Sequence, residues 1–173
     1  MKTAGSVFAF LVLVTMALAQ PSHRGATSQP VTVDIKNAQG QIIGTATLSD
    51  SPHGVKIKIN VKGLPPGEHS LHIHQVAKCE PPDFKSAGPH FNGASGHTEH
   101  TGLPAGDIPD FSLIVASDGT AHATVIAPHV TLGDDEQSVF SNGGTAIVIH
   151  AVATEASSSA PPRIACGVIS KLP

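Results

Sequence analysis

Between residues 55 and 62 the chain alternates strictly. Val55, Ile57, Ile59 and Val61 are apolar, and Lys56, Lys58, Asn60 and Lys62 lie between them. A period of two puts the two sets on opposite faces of an extended strand, so the segment must pair into a sheet with one dry and one wet face. The same pattern recurs along the chain. Residues 31–36 alternate, 37–40 form a turn, and 41–48 return as a second strand, a hairpin in outline. Further strands are expected at 69–76, 110–116, 120–127, 144–152 and 163–170, with Ser117, Asp118 and Gly119 as a hairpin turn. Seventeen Gly and 14 Pro punctuate the 173 residues and argue against a helical bundle. The reading is all-β, an eight-stranded antiparallel sandwich or barrel in one domain. Two stretches lack strand pattern, 77–109 and 153–162. A loop as long as the first is expected to be functional.

The N-terminus reads as a targeting segment. Lys2 precedes an apolar run from Val7 to Ala19 that ends Ala17-Leu18-Ala19, with small residues where a signal peptidase reads. A run of thirteen residues is short for a bilayer span. Residues 1–19 are therefore expected to be a cleaved signal peptide, with a signal anchor as the alternative. Residues 20–30 then form a disordered leader and 31–173 the domain. Cleavage removes one lysine and takes the net charge from -3 to -4. An exported chain, periplasmic or secreted, with no membrane association after cleavage, is the expectation. Export permits a disulfide. The two cysteines allow one intramolecular pairing, Cys79–Cys166, closing a loop of about 88 residues worth about 4 kcal/mol. Two free buried thiols are the alternative.

Charged residues make up only 13% of the chain, against roughly 25% in soluble proteins. The acidic balance and the absence of Trp and Tyr argue against a nucleic-acid binder. Histidine, by contrast, occurs 11 times, more than Lys and Arg together. His72 and His74 lie two apart on a predicted strand, so both imidazoles share a face while Leu71 and Ile73 take the core side. The long loop adds His90, His97, His100 and Asp107, and His150 ends another apolar strand. Six imidazoles and a carboxylate exceed one tetrahedral site and suit two, with copper or zinc as the matching ions. His23, His53, His122 and His129 read as solvated surface.

His72-Ile73-His74, Cys79, the run Ser86-Ala87-Gly88-Pro89-His90-Phe91-Asn92, Gly106-Asp107 and the run Arg163-Ile164-Ala165-Cys166-Gly167-Val168 occur in that order. In these motifs the chain resembles the copper/zinc superoxide dismutases, exported bacterial members above all, over residues 31–173. The resemblance implies a Greek-key β-barrel with two long functional loops and a disulfide tying the long loop to the last strand. It implies copper ligands His72, His74, His90 and His150, with His90 bridging to zinc. It implies zinc ligands His90 and Asp107, with His97 falling near the place of a further zinc-ligand histidine. Arg163 would attract the superoxide anion, and His69 would back the copper site. Dismutation of superoxide to oxygen and hydrogen peroxide is the implied reaction, with His90 passing a proton. The family contains dimers and monomers, so a homodimer is admitted.

Three positions depart from the family pattern. Pro104 stands where a zinc-ligand histidine is usual, with His100 as a substitute. Thr154 replaces an aspartate that bridges the two sites, and the 153–162 loop is short, with Glu155 its only charge. Two further readings follow: a copper-only dismutase-like enzyme, and a non-catalytic copper-binding or delivery protein on the same fold.

Overall fold

The alternating segments fold as their periodicity requires. A computed structural model describes residues 29–95, 102–152 and 161–171. The expected signal peptide, most of the leader, and His23, His97, His100, Thr154 and Glu155 lie outside the described residues. Nine strands are described: β1 Val31–Asn37, β2 Ile42–Ser51, β3 Gly54–Val61, β4 Gly67–His69, β5 Leu71–His74, β6 Leu113–Val115, β7 Ala121–Ala127, β8 Thr145–His150 and β9 Arg163–Ile169. Seven form one sheet in the order β5-β8-β9-β1-β2-β3-β7, and β4 pairs with β6 in a second. All ladders are antiparallel.

The expected eight strands become nine because 69–76 is not continuous. His69 pairs with Leu113 in the small sheet, whereas Leu71 pairs with Ile149 in the large one. Ser70 is the corner between them. The 117–119 turn forms, with Ala116 N–H bonded to Thr120 O at 2.8 Å. Its two flanking strands then enter different sheets instead of a hairpin ladder. The first hairpin is as expected. The Asn37 side-chain oxygen accepts from Gln39 and Gln41 N–H, both at 3.0 Å, and Gly40 takes the left-handed φ of 75° that the turn needs.

Every second residue of β3, Val55, Ile57, Ile59 and Val61, is buried. With Ile35, Leu48, Leu71, Ile73, Phe91, Leu113, Ile147 and Ile149 these residues fill the main core. β8 is buried on both faces. Its outer face, Ala146 and Val148, lies under Phe84, Ala87 and the Cys79–Cys166 disulfide, a second small core. The long loop thus folds back over the outside of the sheet, and the functional side chains gather there.

Candidate metal centre

Placement begins with β5. Leu71 and Ile73 fill the core, so His72 and His74 project from the outer face. They register against Val148 and Ala146 of β8. β5 is an edge strand of the large sheet, and the long loop laces along its open side. Phe91 N–H donates to Ile73 O at 2.8 Å, Ile73 N–H to Gly106 O at 2.9 Å, and Gly106 N–H to Phe91 O at 2.7 Å. Phe91, Ala105 and Ile108 anchor this lacing in the core. His90 and Asp107 each follow or precede a laced residue, and so arrive beside His72 and His74. Gly106 is required by proximity, since a Cβ there would stand 2.1 Å from Ile73 O. His150 ends β8, directly across from Arg163 of β9.

Four imidazoles converge. One potential ligand atom from each of His72, His74, His90 and His150 lies within 4.8 Å of the others, the one such grouping among the described residues. Backbone carbonyls select the tautomers. His74 Nδ1–H donates to Gly88 O at 2.9 Å, and His150 Nδ1–H donates to Pro161 O at 3.1 Å. Each ring therefore presents an unprotonated Nε2, and the two Nε2 atoms face one another at 3.2 Å. Two lone pairs at that distance repel unless a cation lies between them. His72 Nδ1 is buried with no hydrogen-bond partner among the described residues. An orphaned imidazole nitrogen beside opposed lone pairs fits an imidazole-liganded ion such as copper.

The charge states agree. Burial, reinforced by His90 and His150, pushes His72 down to about 4 from 6.5. Burial holds His74 lower still, with the nearby charge of Arg163 adding to the effect. Both rings are thus neutral, as ligation requires, near neutral pH.

The other half of the expected site is partly described. His90 Nδ1 meets Asp107 Oδ1 at 2.6 Å. Pro104 contributes only its carbonyl, which accepts Asp107 N–H at 3.1 Å. Arg163 lies half-buried with its guanidinium forked over the loop, donating to Phe84 O at 2.8 Å and Gly88 O at 2.7 Å. Burial lowers its pKa while Asp83 opposes that, and an arginine so placed stays charged. His69 bridges the rear of the site, its ring nitrogens 2.8 Å from His150 O and from Pro65 O. The cysteines are joined, Cα atoms 5.6 Å apart. His122 bonds Asn60 on the outer sheet, away from the cluster.

Three backbone carbonyls contribute to the site without a side-chain signal in the sequence. The Gly88 carbonyl serves both His74 and Arg163, and the Pro161 carbonyl fixes His150. Backbone acceptors have no side-chain identity to read. Phe84, held at a left-handed φ of 52° and fully buried, presents the other carbonyl to Arg163.

Residues 42–169 match the family model described as copper/zinc superoxide dismutase (SODC). The chain is 37% identical over 177 residues to Cu-Zn superoxide dismutase 2 of Aquifex aeolicus, covering 97% of this chain and 98% of that one. It is 36% identical over 148 residues to the Cu-Zn superoxide dismutase of Caulobacter vibrioides, covering 80% and 84%. Among solved structures, a SOD-like protein from Bacillus subtilis has a TM-score of 0.68 at 29% identity, over 83% of this chain and 99% of that one. The Cu/Zn superoxide dismutase of Brucella abortus has a TM-score of 0.61 at 27% identity, over 82% and 100%.

Proposed function

The chain belongs to the copper/zinc superoxide dismutase family, and from that premise we propose how its own residues divide the work of the reaction. The family's activity is the disproportionation of superoxide to oxygen and hydrogen peroxide, and its cofactors are copper and zinc. When bound, copper supplies one-electron redox chemistry and zinc supplies a fixed charge without redox chemistry. His72, His74, His90 and His150 would hold copper. The observation that carries this assignment is the pair of opposed Nε2 atoms of His74 and His150, 3.2 Å apart with both Nδ1 protons committed to carbonyls.

Arg163 draws the anion toward the cluster. Its two loop hydrogen bonds fix the guanidinium in place, and in a chain with net charge -3 it is a local positive focus. His90 holds a proton at Nε2 between the two halves of the reaction and gives it to the product. His69 keeps the end of β8, and with it His150, at its height above the sheet.

His90, His97, His100 and Asp107 form an altered zinc site, with Pro104 unable to ligate. The chain is exported after removal of residues 1–19, with 20–30 a leader to the domain at 31–173. N-terminal sequencing of the secreted protein should begin at Gln20.

Metal content by mass spectrometry together with riboflavin-driven superoxide scavenging tests the assignment. Equimolar copper and a copper-dependent rate are expected. Copper without any rate would favour a carrier on this fold. Separate His97→Ala and His100→Ala variants, assayed for zinc affinity, identify the ligand, and unchanged affinity in both would remove these residues from the site. The direct contact between His90 and Asp107 supports a second reading, a copper-only enzyme. Copper with only trace zinc after zinc loading would establish it.

A further inference from the structure

We infer that Asp107 is a positioning residue for the histidine cluster, fixing the His90 tautomer when no second metal is bound. The inference rests on the reading of the cluster as the copper site. His90 Nδ1 and Asp107 Oδ1 lie 2.6 Å apart, with 19% and 22% of their side chains exposed. A carboxylate only accepts, so the proton sits on Nδ1, and in the neutral ring that leaves the lone pair on Nε2. A tetrahedral ion held by both atoms would separate them to about 3.3 Å at ordinary zinc bond lengths. The observed spacing is that of a shared proton, and it matches the carboxylate–histidine–metal arrangement that fixes a ligand's tautomer and orientation.

The backbone that makes this contact is built without metal. His90 bridges to His74 as an isolated antiparallel pair, and Phe91 N–H is bonded to Ile73 O. Asp107 follows Gly106, which is bonded to both Ile73 and Phe91, and its own N–H is held by Pro104 O. Pro104, where the family has a ligand, thus serves the turn that aims the carboxylate. Each of three rings then has its Nδ1 proton fixed by a protein oxygen: Gly88 O for His74, Pro161 O for His150 and Asp107 for His90.

The test uses the full chain stripped of all metal. ¹⁵N–¹H NMR of the imidazoles at neutral pH should find His90 protonated at Nδ1 in the wild type, and Nε2 protonation there would overturn the inference. Cu(II) affinity by chelator competition, with no zinc present, should fall roughly 10- to 100-fold in Asp107→Ala, the range for loss of an outer partner. Asp107→Asn retains an accepting oxygen and should restore most of the loss and the wild-type Cu(II) electron paramagnetic resonance spectrum. Wild-type affinity in zinc-free Asp107→Ala would overturn the inference and leave Asp107 a zinc ligand only. A wild type that takes copper with zinc but not without it would also overturn it, with the copper site intact. Equal copper binding in His150→Ala and wild type would instead overturn the reading of the cluster itself.

Discussion

His74 and His150, 76 residues apart in sequence, face each other through Nε2 atoms 3.2 Å apart, and each ring is locked by a carbonyl behind it. Neither strand alone creates this relationship. It follows from the antiparallel pairing of β5 with β8, which sets His74 against Ala146 and leaves His150 at the far end of the same face.

His150→Ala should therefore remove copper and activity together. The loss should exceed the roughly 100-fold that removal of an outer-shell partner costs. Metal per chain and superoxide-scavenging rate measure it, and retained copper would contradict the ligand assignment.

Arg163→Ala should keep copper but lower the rate by about tenfold or more, the lower end of what electrostatic focusing provides. The wild-type rate should fall with added salt, whereas the variant's should be nearly flat. Arg163→Lys should fall between, because an ammonium cannot fork across the Phe84 and Gly88 carbonyls.

Acid should unfold the metal-free protein through its histidines. The folded His72 titrates near 4 because of burial, below its ordinary 6.5. Between those values the unfolded chain binds the proton and the fold does not. Stability is then full above pH 6.5 and falls as pH drops toward 4. Urea midpoints across that range should show the slope, and His72→Asn should flatten part of it.

Cys79→Ser and Cys166→Ser, alone or together, should each cost about 4 kcal/mol, the chain-entropy value for a loop closed over a separation of 87 residues. Urea unfolding measures it. Activity should fall as well, because the freed loop carries both carbonyls that hold Arg163.

Gly106→Ala should destabilise the fold by about 1–3 kcal/mol, since its Cβ would collide with the Ile73 carbonyl and overpacking costs that much. Zinc affinity should drop with it, because Asp107 moves with its neighbour. Unchanged melting and zinc binding would mean that the lacing of the loop onto β5 tolerates a shift.

The strands were legible where one face is dry. Val55, Ile57, Ile59 and Val61 announce β3 because each alternate side chain meets the core. β8 was legible only as an apolar run, since the long loop covers its second face. The break at Ser70 was not legible, because the apolar and polar residues on either side continue the same alternation while the backbone changes sheets. Within the site, His72, His74, His90 and Arg163 stand in recognisable motifs, and His150 stands at the end of an apolar run. The carbonyls of Gly88 and Pro161 could not be read in this way, since their roles come from where the fold brings the main chain. The direct approach of Asp107 to His90 was equally hidden, as it depends on loop lacing across 17 positions.

The first and last strands are neighbours, Lys36 registered against Cys166. This has a consequence in time. Arg163, Cys166 and the β9 partner of β8 are made after every imidazole of the cluster, so a growing chain has its imidazoles before it has the clasp or the cation beside them. A chain that stops before residue 163 forfeits the disulfide and the guanidinium at once.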